Sequence, residues 1–594
     1  MCGIIGFFGR RCDELESLFL PLLKHRGPDE SNVLHGDDYS FGHTRLSILG
    51  IEDGAQPITD SKGNVLVYNG EIYNCHDLQK EHLQTSFRSD AKILFELLKK
   101  LGERALPLLK GMFAFAFLKA SSRSVILARD PFGMKPLFFS HQDGVLFFSS
   151  ELKAMKPGEV EWESFYEYLY FSNPLPGRTL YKGIEEIKPA EYLIFSSGKL
   201  RRSRYSRLWQ LLEHGEPNDL NLGKALERSL SSHLLSDVPV GLLLSGGMDS
   251  SSLALASSRS GTTLDSYCLG YSQSDFDESE TAKGIADHLQ MPFERVSFPQ
   301  TDLHQEMEEV LLSMDQPFGD PSYLPTYLLT RSVAKNKKVV LGGDGGDEIF
   351  YGYPTFQAEA ILMRLPKLVL SALYTAFSIL GKTSSSRVDF REKILRFSWG
   401  RGLDPLSRHS RYMSSAPPGF FSPEFFETLP AKLEILLKED GLNPEQPWSA
   451  VFFYYFRIYL ANQVLVKTDR ASMANSLEVR CPFLDVDFLK STFRYPGSHF
   501  PLFERPKQAL RDYLNSGFPT RLLRFEKKGF ATPLGSVLPT LKDILEDRHG
   551  ITLPSLDRLR IQAPYLLYNV LVFLYFHPED RAIELLHKES GTTI

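Results

Sequence analysis

A cysteine stands second in this chain, in "MCGIIGFFG", ahead of an apolar run that reads as a buried strand. Removal of Met1 would leave Cys2 with a thiol and a free α-amine on one residue. Such a pair supplies a nucleophile and its own base, because a neutral amine can take the thiol proton. On position alone, a small buried residue at a strand start is the simpler account. Two glycine-rich stretches carry further chemistry. In "LLLSGGMDSSS" a buried strand runs into Ser245, Gly246 and Gly247, and a helix starts near Ser250. Glycine lets the backbone turn sharply and bring N–H groups to an anion, and a helix N-terminus adds partial positive charge. The stretch is a phosphate cradle, although not a Walker A loop, since no Gly-Lys-Ser/Thr follows. Asp249 beside it suits a magnesium ion that bridges to phosphate. In "VVLGGDGGDEIFYGY" glycines Gly342, Gly343, Gly345 and Gly346 surround the acids Asp344, Asp347 and Glu348. A plain glycine turn explains the first loop by itself, and a solvated acidic turn the second. Two strand-end loops that both carry Asp favour one metal–nucleotide site between them, beyond the C-terminal ends of parallel strands.

The elements that must hold these residues change character along the chain. Up to about residue 200 short strand signals dominate: "GIIGFF", "YSFGHTRLSI", "NVLVYNG", "MFAFAFL", "SVILAR", "PLFFS" and "VLFFSS", separated by turn residues. One helix-like segment, 89–102, interrupts them, with Ser89 or Asp90 as N-cap. The pattern predicts an α+β domain of packed antiparallel sheets. The stretch 201–208 is basic and polar, and 213–221 reads as a linker. Then 222–235 looks helical, and 238–244, 264–271 and 337–343 read as buried strands with helices between them. That alternation predicts a parallel α/β sheet. From about residue 360 onward the chain reads as mostly helical.

Bulk properties narrow the class. The 594 residues predict two to four domains, and 42% hydrophobic with 24% charged residues is an ordinary globular composition. A net charge of -6 offers no basic balance for nucleic acid. The five cysteines form no C-x-x-C pair, which argues against a disulfide framework or structural zinc and for a reducing, cytoplasmic setting. No signal-peptide pattern opens the sequence. The apolar stretches 368–380 and 566–576 are too short and interrupted to span a bilayer, so core helices are expected.

The chain resembles the glutamine-dependent asparagine synthetases and related class II amidotransferases. The resemblance rests on "MCGIIGF", "HRGPD" (25–29), "HTRLSI" (43–48), "YNGEIYN" (68–74), "RSD" (88–90), "RDPFGMKPLF" (129–138), "LLSGGMDSS" (243–251), "GGDGGDE" (342–348), "VKTDRASMANSLEVRCPFLD" (466–485) and "KKGFATP" (527–533), and it covers nearly the whole length. It implies an Ntn-hydrolase-type glutaminase domain over 1–205 and an ATP-pyrophosphatase domain over 222–594. By resemblance, Cys2 attacks the glutamine amide carbon, forms a thioester and releases ammonia, with Asn69 and Gly70 as oxyanion-hole pair. Arg45 holds the glutamine carboxylate, Glu71 and Asp90 recognise its amine, and Leu46 and Ile48 complete that site. Leu244, Ser245, Gly246, Gly247, Asp249 and Ser250 hold ATP with Leu269, Gly342 and Gly343, and Asp249 and Asp347 bind Mg2+. Lys527 stabilises charge during adenylation, and Asp344 serves the incoming ammonia or orients the intermediate. Ammonia passes through an internal tunnel to an acyl-adenylate, and the products are an amide, AMP and pyrophosphate. The implied partners are glutamine, ATP and aspartate. No nucleic acid and no integral membrane segment are implied, and homodimerisation is left open.

The sequence departs from that family at the acceptor. The best-known asparagine synthetases carry S-G-E-G-S-D-E where this chain has G-G-D-G-G-D-E, and a Thr/Ser-rich stretch where it has the Pro-rich "DQPFGDPSYLPTYL" (315–328). Two acids, Asp320 and Asp344, would suit an acceptor that carries an amine. Aspartate has an amine, so these acids do not exclude it; the resemblance, with its ATP-side residues all present, implies aspartate as acceptor against Asp344 and the Pro-rich stretch, and a sugar acid of surface-polysaccharide synthesis is the alternative. A bare glutaminase and a non-catalytic binding protein fit less well, because Cys2, Asp249, Asp347 and Lys527 are all in place.

Overall fold

A computed structural model of the chain describes residues 2–212, 222–272, 277–299, 303–364, 402–415, 417–444, 446–493, 506–523, 532–551 and 563–578, with isolated positions 369, 399, 400, 553 and 560. Lys527, the linker 213–221 and nearly all of 368–380 lie outside the described residues.

Two six-stranded antiparallel sheets form the first half. One runs in the order 185–186, 138–142, 145–149, 2–8, 39–45, 30–35, and the other 199–204, 191–196, 124–129, 111–119, 65–72, 58–59. The strand Gly111–Lys119 shows how they stack. Its side chains alternate between faces. Phe113, Phe115 and Phe117 join the layer of Leu94, Phe95 and Leu98 from the helix Asp90–Leu101. Ala114, Ala116 and Leu118 instead meet Ile4, Phe41 and Phe148 of the other sheet. Both faces of this sheet are therefore covered, which is why "MFAFAFL" reads as a continuous apolar run. The far face of the first sheet packs Ile5 and Phe7 on Leu15, Leu20 and Leu23. The helix begins after Ser89, but Ser89 makes no side-chain cap, and the Asp90 carboxylate serves elsewhere.

The second half is built on a five-stranded parallel sheet in the order 293–297, 265–270, 240–243, 339–341, 478–480. The edge strand Glu478–Arg480 comes from the region expected to be helical, and at three residues it is too short for a local signal. The helix Pro564–Phe576 is buried along most of its length, as expected of a core helix. It packs on a helix of the first half, Trp162–Phe171, with Phe165 and Phe573 ring centroids 4.3 Å apart. Among the described residues no helix is long and apolar enough to cross a membrane.

Buried charge seals the two halves. Arg26, fully buried, donates from Nε to the Cys2 carbonyl at 3.1 Å, from Nη1 to Glu151 at 3.0 Å and from Nη2 to Asp469 at 2.9 Å. Lys135 reaches the other Asp469 oxygen at 3.2 Å. Removing one partner of such a cluster leaves uncompensated charge in the interior, which costs about 3–5 kcal/mol. Asp469→Ala should therefore lower the unfolding temperature clearly in calorimetry, and Asp469→Asn should lower it less. An unfolding temperature unchanged in Asp469→Ala would contradict this account of the seam.

Candidate active site

The first site gathers at one end of the sandwich. Cys2 opens the strand Cys2–Phe8 and sits directly opposite Arg45, the last residue of Tyr39–Arg45. Asn69, Gly70 and Glu71 come from Val65–Ile72 in the other sheet. Cys2 N donates to Asn69 Oδ1 at 3.0 Å, and this nitrogen becomes the free amine when Met1 is absent. Asn69 Nδ2 is buried with no hydrogen-bond partner. A buried donor left unpaired costs about 1–3 kcal/mol, and this one sits on the side chain that holds the Cys2 nitrogen. Gly70 has φ 153°, and a Cβ there would lie 2.1 Å from the Met112 carbonyl oxygen of the paired strand. Only glycine fits.

Arg45 is nearly buried and aimed by its own loop: Nη2 donates to Gly50 O at 2.7 Å and Nη1 to Ile51 O at 3.3 Å and Glu30 at 3.2 Å. Leu46 and Ile48 do not turn their side chains to this site. Both are buried against Val339 and its neighbours, on the sheet of the second half. What Leu46 offers Cys2 is its backbone N–H, directed at the sulfur. Burial nevertheless dominates, and it holds the Cys2 thiol above the ordinary cysteine range, against the pull of the positive N-terminus, Leu46 N–H and Arg45. Asp90 Oδ2 accepts from Tyr68 OH at 2.7 Å and from Ile72 N at 3.1 Å. Burial, then the nearby Asp90, push Glu71 well above the usual carboxylate range, opposed by Arg480.

The second site lies beyond the C-terminal ends of Val240–Leu243 and Val339–Leu341. These are neighbouring strands, at the point where the order of the parallel sheet switches direction. A cavity of about 450 Å³ opens there. Leu244, Ser245, Gly247, Asp249 and Ser250 line it from the first loop, Gly342, Gly343, Asp344 and Asp347 from the second, and Leu269 from the next strand. Ser245 and Ser250 hydroxyls, 3.1 Å apart, brace the first loop ahead of the helix Met248–Arg259. Gly246 turns the chain at φ 79° and faces Ala282 and Glu278, so it shapes the loop without lining the cavity. Asp344 accepts a hydrogen bond from Thr468 at 2.8 Å. Asp320 is not among the lining residues, and its Oδ1 takes the N–H and hydroxyl of Ser322.

Sequence reasoning missed the cations. Lys507 Nζ lies 2.5 Å from Asp249 and 2.7 Å from Asp347, and Lys467 and Arg511 also face the cavity. Burial pulls the Lys507 pKa down, but Asp249 and Asp347 outweigh it and keep the ammonium charged. Glu348 was in view as part of the second loop but given no role. Burial, then the neighbouring Asp347, push it up to about 8, and Tyr353 OH donates to it at 2.7 Å. The two aspartates thus converge on one cation. Two carboxylates are what Mg2+ takes when phosphate oxygens complete its shell. No group of three or more His, Cys, Asp or Glu converges among the described residues, so the donors fit an ion shared with a nucleotide better than a protein-only cage.

Comparisons with known proteins divide the chain along the same lines. A glutamine amidotransferase domain model matches residues 1–206 and an asparagine synthase model matches 221–560. The chain is similar to glutamine-hydrolysing asparagine synthetase 1 of Bacillus subtilis (strain 168), 28% identical over 576 residues, covering 90% of this chain and 87% of that protein. Asparagine synthetase 3 of the same organism is 28% identical over 603 residues, covering 94% and 92%. Asparagine synthetase B of Escherichia coli (strain K12) is 32% identical over 386 residues, covering 60% and 65%.

The state of the Cys2 thiol is directly measurable. With its pKa held above the ordinary value, alkylation by iodoacetamide, followed by mass spectrometry of the N-terminal peptide, should be slow at pH 7 and climb steeply only above about pH 9. Labelling that is already fast at pH 7 would contradict a buried neutral thiol.

Proposed function

The chain belongs to the asparagine synthase family, and from that premise we propose that it makes asparagine from aspartate, with glutamine as nitrogen donor and ATP as the driving reagent. In the first site the Cys2 α-amine takes the thiol proton as sulfur attacks the glutamine amide carbon. Asn69 Nδ2 and Gly70 N–H receive the oxyanion. A single such donor is worth about 3 kcal/mol. Arg45 takes the substrate carboxylate as a planar fork, while Glu71 and Asp90 take its amine. Ammonia leaves, and water resolves the thioester to glutamate.

In the second site Ser245, Gly247 and Ser250 cradle the triphosphate at a helix N-terminus. Lys507, Lys467 and Arg511 supply positive charge along it. Magnesium, held by Asp249 and Asp347, would supply the remaining neutralisation of phosphate charge when bound. ATP adenylates the acceptor carboxylate and releases pyrophosphate. Ammonia displaces AMP, and Asp344, steadied by Thr468, takes the proton that ammonia must lose. Glu348, beside Asp347, accepts a hydrogen bond from Tyr353 and lines the same cavity. Lys527 keeps its proposed role in charge stabilisation, outside the described residues.

One run of buried contacts carries this reading. Arg26 holds both the Cys2 carbonyl and Asp469, and the residue before Asp469 holds Asp344. Nucleophile and acceptor site are thereby fixed to one another, which suits a nitrogen handed from one to the other. The alternative acceptor, a sugar acid, keeps its footing on the Pro-rich 315–328 and on Asp344 in place of Glu. The test is mass detection of asparagine with aspartate, glutamine, ATP and magnesium, with Asp249→Asn as control. Asparagine with equimolar AMP and pyrophosphate is expected, and Asp249→Asn should lose pyrophosphate while still hydrolysing glutamine. AMP and pyrophosphate from another carboxylate, with no asparagine from aspartate, would replace aspartate as the acceptor.

A further inference from the structure

Arg480 is fully buried and belongs to the parallel sheet, yet it reaches into the other half of the molecule. Three contacts fix its guanidinium from its own side. Nε donates to Glu478 at 2.5 Å, and Nη1 donates to the carbonyls of His233 at 2.8 Å and Leu235 at 2.7 Å. The fourth direction faces the glutamine site: Nη2 makes no hydrogen bond and lies 3.5 Å from Glu71 Oε1, with the Tyr73 ring 5.8 Å from the guanidinium carbon. The backbone of the same residue looks the other way. Its carbonyl accepts from Gly342 N at 2.7 Å, the first residue of the glycine loop that carries Asp344 and Asp347.

We propose that Arg480 is a positioning residue that couples occupancy of the glutamine site to the glycine loop of the nucleotide site. The inference rests on the reading of Glu71 as the group that takes the glutamine amine. Glu71, Asp90 and Glu478 are three buried carboxylates around one buried guanidinium. An incoming ammonium competes with Nη2 for Glu71, because both are N–H donors that seek the same oxygen. The guanidinium cannot follow Glu71 freely, since Glu478 and two carbonyls of the second half hold it. A shift in Glu71 is therefore passed to a three-residue strand whose last carbonyl pins Gly342. Coupling between binding sites is reciprocal, so nucleotide in the cavity must change glutamine affinity by the factor that glutamine changes nucleotide affinity.

The experiment measures the glutamine KM of the full chain with and without a non-hydrolysable ATP analogue and magnesium. In the wild type the KM should change at least threefold. Arg480→Lys keeps the charge and loses the fork, and Glu478→Gln loosens the clamp without touching Glu71. Both should still hydrolyse glutamine, with a KM that no longer responds to nucleotide. A purely structural role would lower the melting temperature and leave the response intact, and that result overturns the proposal. So does a wild-type KM indifferent to nucleotide. Absence of glutamine hydrolysis in the wild type overturns the glutamine reading, and this inference with it. Should neither variant fold, hydrogen exchange in Cys2→Ala decides. Glutamine alone must alter exchange at both 478–481 and 342–347, and protection confined to the sandwich overturns the coupling.

Discussion

Guanidinium groups are costly to bury, yet several are buried where the halves of this molecule meet. Arg26 and Arg480 are fully withdrawn from solvent, and each is matched by carboxylates. The penalty for an unpaired interior charge leaves little room for the halves to slide past one another. Arg26 takes the carbonyl of Cys2 and ties it to the helix Leu465–Met473, which puts Lys467 and Thr468 into the cavity. Arg480 ties Glu71 to the strand beside the second glycine loop. Leu46 and Ile48 complete the seam with apolar contact on Val339. The first site thus borrows Arg480 from the second half, while the helix that lines the cavity is held in place by Arg26 of the first.

The local patterns were legible because they depend on neighbours in sequence. The strand signal at Val65–Ile72, the apolar run at Gly111–Lys119 and the two strand-end glycine loops all sit where their residues indicate. The asymmetric placement of side chains was not legible. Leu46 and Ile48 lie within three residues of Arg45, and nothing local says that their side chains serve the seam. Gly246 looks equivalent to Gly247, yet it faces the helix Ser279–His288. Lys507 was hidden for a different reason: it lies 258 positions from Asp249, and an ion pair at that separation leaves no spacing signal. The same holds for Arg26 and Asp469, 443 positions apart. Asp320 was legible as an acid but not as one engaged by its own turn.

On the proposed acceptor side two acids of the second loop differ in their surroundings. Asp344 is shorter than the glutamate of the best-known relatives and is steadied by Thr468, so its carboxylate has a fixed address. Glu348 is a buried acid whose pKa burial and Asp347 push up to about 8, next to a tyrosine hydroxyl. Together they place two acids and a tyrosine hydroxyl on one loop. That suits a substrate with a carboxylate to be activated and an amine to be recognised.

The central claim is that nitrogen released at Cys2 is consumed at the cavity within one body. Amide-15N glutamine, supplied with aspartate, ATP, magnesium and an excess of unlabelled ammonium, tests it most directly. If the two sites are fixed to one another as Arg26 and Arg480 hold them, the asparagine amide will be predominantly 15N. Label diluted to the ratio of the surrounding ammonium would show that nitrogen escapes before use, and would contradict the account.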